Sequence, residues 1–96
     1  MLDGVSLDQL RTFIAAVDEG SFSAAARKLN RVQSAVSGWI GGLEEQIGVE
    51  LFDRSGRFPK LTSEGVLLLA DARNIVSGVD TLKARARLMT SGVEAE

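Results

Sequence analysis

The 96 residues contain no cysteine and no histidine. Disulfides, thiolate chemistry and the usual zinc ligand sets are therefore excluded within them. The histidine base of the common nucleophilic triads is missing too. No grouping of Ser, Lys, Asp and Glu suggests another catalytic constellation, so neither an enzyme nor a cofactor or metal site is expected. Aromatic residues make up 5% of the chain, and there is one proline. No apolar run approaches the length of a membrane span, and the start MLDGVSLDQL is not a signal peptide. The expected location is the cytoplasm, with no membrane partner. The length suits one small domain with a modest core, so a long apolar surface would need a partner.

Net basic charge is also lacking: the formal charge is −2. A nucleic-acid binder usually shows a basic surface, but the distribution of charge matters more than its sum. Arg27, Lys28 and Arg31 form one basic group, and Arg54, Arg57 and Lys60 form another. The acids Glu44, Glu45, Glu50 and Asp53 fall between them. Two such clusters flanking one helix can form a local positive face; a solvated mixed surface is the competing reading.

What is present is helical periodicity. Ser6-Leu7-Asp8-Gln9 reads as a capping box. Leu7, Leu10, Phe13, Ile14 and Val17 then form a stripe that Gly20 ends, predicting a first helix over 7–19. Ser23 is suited to cap a second helix, Ala24 to Leu29, whose Ala25 and Ala26 allow close packing. Asn30 tolerates the left-handed conformation that would end it. A third helix is predicted from Gln33 to Ile47 with Gly48 beyond, its inner face formed by Val36, Ile40, Leu43 and Ile47. Gly38, Gly41 and Gly42 lie inside it although each costs a helix about 1 kcal/mol relative to Ala. Trp39, beside the buried face, reads as packing.

Helix, short turn, helix is the spacing of a helix-turn-helix, although a plain helical hairpin also has it. Residues 50–54 and 57–61 then read as two short strands around Ser55-Gly56, with Pro59 confining them to an edge. This is a wing with cations near its tip. Thr62 caps a last helix with Glu64 in its first turn. Along that helix Leu68, Ala72, Ile75, Val79, Leu82, Ala86 and Met89 are alternately four and three residues apart, an unbroken heptad register. From Thr62 to Met89 the helix would be about 40 Å long, more than a domain this small can cover. An intermolecular seam is expected, followed by a frayed tail at 91–96.

The chain resembles the N-terminal region of LysR-type transcriptional regulators. The resemblance rests on LDQLRTFIAAVDEGSFSAAARKL, QSAVSGWIGGLEEQIGVELFDRSGR and LTSEG, and it runs from about Leu7 to the end of the last helix. It implies a mainly α fold: a winged helix-turn-helix of three helices plus a two-stranded wing, followed by a long dimerisation linker helix. The implied limits are 1–62 for the winged domain, with the helix-turn-helix at about 22–41 and the wing at about 49–61, and 63–90 for the linker.

The resemblance further implies sequence-specific binding of double-stranded DNA at interrupted palindromes, as a homodimer paired through the linker, in the bacterial cytoplasm at the nucleoid. Gln33, Ser34, Ser37 and Gly38 fall where the third helix faces bases and phosphates. Ser23 falls where the second helix meets the backbone, and Arg54 where a wing arginine enters the minor groove. On charge, Arg31 and Arg57 are expected to join them. Leu68, Ala72, Ile75, Val79, Leu82, Ala86 and Met89 are the expected dimer contacts. A small-molecule effector would act through a C-terminal domain outside these residues. The chain departs from the family pattern at Val32, where Ser is frequent, at Ser34, where Pro is frequent, and at Gly38, Gly41 and Gly42, where basic or polar residues are common. A helical dimerisation module without a DNA role is the competing function.

Overall fold

In the computed structural model, which describes residues 4–95, the first helix α1 spans Leu7–Glu19. Its capping box is complete: the Ser6 hydroxyl accepts from the Gln9 N–H at 3.2 Å, and the Ser6 N–H donates to Gln9 Oε1 at 2.9 Å. Gly20 ends it in the left-handed region, at φ 88°.

The second helix, α2, spans Phe22–Leu29 and starts earlier than expected. Its cap is Ser21, whose hydroxyl accepts from the Ala24 N–H at 3.0 Å; Ser23 lies inside the first turn. Both serines are competent caps, and burial of Phe22 decides between them. Anchored in the core, Phe22 becomes the first helical residue and leaves Ser21 extended before it. Asn30 closes the helix at φ 59°. After a three-residue turn, Asn30 to Val32, α3 covers Gln33–Ile47, with no side-chain cap at Val32 and with Gly48 at its end.

The wing strands are shorter than the residue pattern suggests. Strand β1 is Phe52–Asp53 and β2 is Lys60–Leu61, paired antiparallel with Phe52 opposite Leu61. The reason lies in competing hydrogen bonds. The Leu51 and Phe52 N–H groups donate to the buried Glu44 carboxylate, and Pro59 has no N–H to offer.

The core joins α1, α2, α3, the base of the wing and the start of the last helix. Phe52 stands edge-on to both Phe13 and Phe22, with ring centroids 5.8 and 5.2 Å apart. Each such pair contributes about 0.5–1.5 kcal/mol beyond its burial, so three phenylalanines give the scarce aromatics a concentrated role.

The last helix, α4, spans Ser63–Ala95. The Thr62 hydroxyl accepts from the Gly65 N–H at 2.9 Å and donates to the Glu50 carbonyl at 2.6 Å, tying cap to wing. Here a glycine is required. A β-carbon on Gly65 would collide with the Leu51 carbonyl oxygen and lie 2.8 Å from Leu61 Cδ1. The helix continues past Met89 through Ser91–Ala95, where a frayed tail was expected; an established helix propagates through a single glycine at a cost of only about 1 kcal/mol. Because α4 projects beyond the small core, the molecule measures 59 × 29 × 22 Å.

Candidate nucleic-acid interface

On α3 the two faces separate cleanly. Val36, Ile40 and Leu43 are buried, while Gln33, Ser34, Ser37 and Gly38 are all exposed. The glycines differ in kind. Among the described residues, no atom beyond the helix's own local backbone would lie within 4 Å of a β-carbon on Gly38 or Gly41, so their packing does not demand glycine there. A β-carbon on Gly42 would meet Gln9 Nε2 at 3.3 Å, where the start of α1 crosses α3. Gly42 therefore belongs to helix packing, a role its sequence context did not disclose.

The cations of the site come from outside α3. Arg27 and Lys28 are exposed in the last turn of α2, and Ser23 is half-buried near its start. In the turn, the Arg31 guanidinium lies 4.5 Å from the centre of the Trp39 ring. Trp39 is half-buried and lies outside the core cluster, so its ring packs at the edge of the domain rather than within it.

Arg54 sits at the base of the wing. Its Nη1 donates to Glu44 Oε1 at 3.0 Å, and its guanidinium lies 5.4 Å from the Phe22 ring centre. Glu44 Oε2 also accepts from the N–H groups of Leu51 and Phe52, at 2.8 and 3.1 Å. A buried carboxylate thus fixes the root of the wing to α3 and orients Arg54. The phase of Glu44, four residues after Ile40 and eight after Val36, was the signal for this; its charge hid it among surface acids. Arg57 and Phe58 occupy the exposed tip, with the Arg57 guanidinium 5.5 Å from the Phe58 ring centre.

This fold matches known proteins. A family profile described as "Bacterial regulatory helix-turn-helix protein, lysR family" matches residues 7–66. The chain belongs to that family. It is 39% identical over 90 residues to the transcriptional regulator AceR of Acinetobacter baumannii, covering 94% of this chain and 30% of AceR. It is 46% identical over 90 residues to the transcriptional regulator PecT of Dickeya dadantii, covering 94% of this chain and 28% of PecT. The chain thus spans under a third of the length of these relatives. Among solved structures, it superposes on the BenM_DBD/benA site 1 DNA complex with a TM-score of 0.86 at 38% identity, covering 92% of this chain and 99% of that one. For the CbnR_DBD–DNA complex the values are 0.84 and 34%, over 90% of this chain and 99% of that one. The winged helix-turn-helix with its long following helix is therefore this family's arrangement, and its relatives are transcriptional regulators.

The heptad stripe of α4 divides in two. Ala72 is 3% exposed within the chain's own core, and Leu68 packs against that core. Ala72 is therefore taken up by the chain's own core, while half-buried Leu68 is shared between that core and the open surface. Beyond them Ile75, Leu82 and Met89 are 50%, 67% and 70% exposed, with Ala86 exposed and Val79 half-buried. An apolar groove of about 400 Å³ opens beside this stripe, lined by Leu10, Leu43, Ile47, Val49, Leu68 and Ile75 among others. Missing from any motif was an ion pair that links α4 to α1 across the surface. Arg73 holds Asp18 of α1 through two bonds, Nη1 to Oδ2 at 3.1 Å and Nη2 to Oδ1 at 2.6 Å.

Proposed function

We propose that this chain is the DNA-binding and dimerisation module of a LysR-type transcriptional regulator, binding interrupted palindromic promoter sites as a homodimer. The winged domain extends to about residue 62, with the helix-turn-helix at about 22–41 and the wing at about 49–61. The linker helix runs over 63–90 in this reading. The observation that carries the reading is α3 itself: three apolar residues anchor it from within while Gln33, Ser34 and Ser37 stand exposed on the other side. A chain 38% identical with the same fold is described in complex with benA site 1 DNA, which supports assigning DNA to this one.

In this reading α3 enters the major groove, where Gln33, Ser34 and Ser37 meet base edges and phosphates. Gly38 adds no side chain, so the helix can lie deep. Ser23 and Arg31 contact the backbone. Arg54 and Arg57 reach the adjacent minor groove, whose narrow stretches attract arginine. Two copies pair through Ile75, Val79, Leu82, Ala86 and Met89, and the neighbouring groove supplies further apolar surface. Two-fold pairing calls for a two-fold site, hence the interrupted palindrome. The module works in the bacterial cytoplasm at the nucleoid, and a small-molecule effector acts through sequence outside these residues. A dimerisation module without DNA contact is the second reading, favoured by the net charge of −2.

A titration with random-sequence duplex separates the two. If each protomer neutralises about three to five phosphates, log K falls with log[salt] at a slope of about −5 to −9 for the dimer. Absence of binding at low salt overturns the DNA reading.

A further inference from the structure

The fifteen residues of α3, QSAVSGWIGGLEEQI, include two carboxylates and no cation. A helix that meets a polyanion with negative charge of its own must take its positive charge from a neighbour. Arg31, two residues ahead of it in the turn, is the nearest in sequence. Arg54 is tied to Glu44 and Arg73 to Asp18, but no carboxylate pairs with Arg31 among the described residues. Its partner is instead the Trp39 ring, 4.5 Å from the guanidinium carbon.

That difference has a chemical consequence. A salt bridge occupies N–H donors, whereas stacking on a ring uses the face of the guanidinium and leaves its in-plane donors free. The stack is also local and available to this sequence. Helical side chains lean toward the N-terminus, so Trp39 leans back along α3 toward the turn. Ala35, one turn before it, is too small to block that path.

We propose that Trp39 is a positioning residue: its ring holds the Arg31 guanidinium at the entrance to α3, with the donor edge turned out to a DNA phosphate. The chain thereby supplies from the turn the cation that Gly38 and Gly41 do not supply from the helix. The proposal rests on the DNA-binding reading and deepens it. It also separates two roles, because Arg31 carries the charge and Trp39 only its orientation.

The test is a double-substitution cycle on random-sequence duplex, using the 96-residue chain, with a thermal melt of each variant to confirm folding. Arg31→Ala lowers the salt slope by about one for each protomer on the DNA. Trp39→Leu removes no charge and weakens binding by about two- to fivefold, the scale of an exposed cation–π contact, while Trp39→Phe retains most of the affinity. In the presence of Arg31→Ala, the further change Trp39→Leu has less than a twofold effect. Trp39 is the sole tryptophan, so its emission in the DNA-free protein also reports the stack and shifts on Arg31→Ala. An equal loss from Trp39→Leu with and without Arg31→Ala overturns the proposal, as does unchanged emission. A parent chain that fails to bind duplex at low salt overturns the DNA reading and the proposal together.

Discussion

Glu44 shows how one side chain serves fold and site at once. Its carboxylate accepts two backbone N–H groups and one guanidinium N–H, and it is buried. Removing it leaves the Leu51 and Phe52 N–H groups without acceptors, each a loss of about 1–3 kcal/mol when buried. Glu44→Ala is therefore expected to destabilise the chain by roughly 2–4 kcal/mol, read by denaturant unfolding. Glu45→Ala, next to it but exposed, stays within about 0.5 kcal/mol. Equal effects would mean that the wing does not depend on the buried carboxylate. The distinction was partly legible, since Glu44 continues the four-residue spacing of Val36 and Ile40. What no spacing discloses is that two backbone donors from another element converge on it. The same holds for Trp39 and Arg31, whose contact crosses from turn to helix, and for Ser21 against Ser23, where the core settled a choice between two good caps.

At the scale of elements, the helices were legible because most of their ends carry a capping residue, α3's uncapped start at Val32 and the end of α4 being the exceptions. Gly20, Asn30 and Gly48 end α1, α2 and α3 in the left-handed region, and Ser6 and Thr62 start α1 and α4. The wing was less so, because its ladder competes with Glu44. Glycines then separate packing from surface. Gly65→Ala must move the Leu51 carbonyl and is expected to cost several kcal/mol, as overpacking does. Gly38→Ala meets open space in a regular helix, so it should stabilise the chain by about 0.5–1 kcal/mol. If the bare outer face matters for groove depth, the same variant binds duplex more weakly although it melts higher. Higher stability with unchanged affinity would remove Gly38 from the interface.

The junction of α1 and α4 adds a pH dependence. The hydrogen bonds from Arg73 hold the Asp18 carboxyl below its usual value of 3.8. A depressed acid contributes stability that is present above its unfolded-state value and lost as pH falls through the folded one. The pair is half exposed, which limits its worth to about 1 kcal/mol or less. Melting curves of the parent and Asp18→Asn should differ at pH 6 and draw together only as pH falls below 3.8. A difference that does not shrink on acidification would assign Asp18 some role other than this ion pair.

For the whole molecule, summed charge and helix length pull in opposite directions. A net charge of −2 suggests no nucleic acid, yet the cations cluster around α3 and the wing. A helix reaching far past its core exposes Leu82 and Met89, which a lone chain has no means to cover. The register of α4 gave the stripe in the sequence, but not the point where it changes duty, because that depends on where α1 and the wing stop covering it. Val79 lies beyond that point and outside the core cluster. Val79→Asp would set two carboxylates near a two-fold axis in apolar surroundings, where like charges repel and neither is well solvated. The winged domain should melt as before, since none of its core contacts changes. The dimer should dissociate at micromolar concentration, seen by sedimentation. Binding to a palindromic duplex should then fall far more than binding to a single half-site, because the second half-site no longer benefits from a tethered partner. A variant that still sediments as a dimer would move the seam away from this stripe.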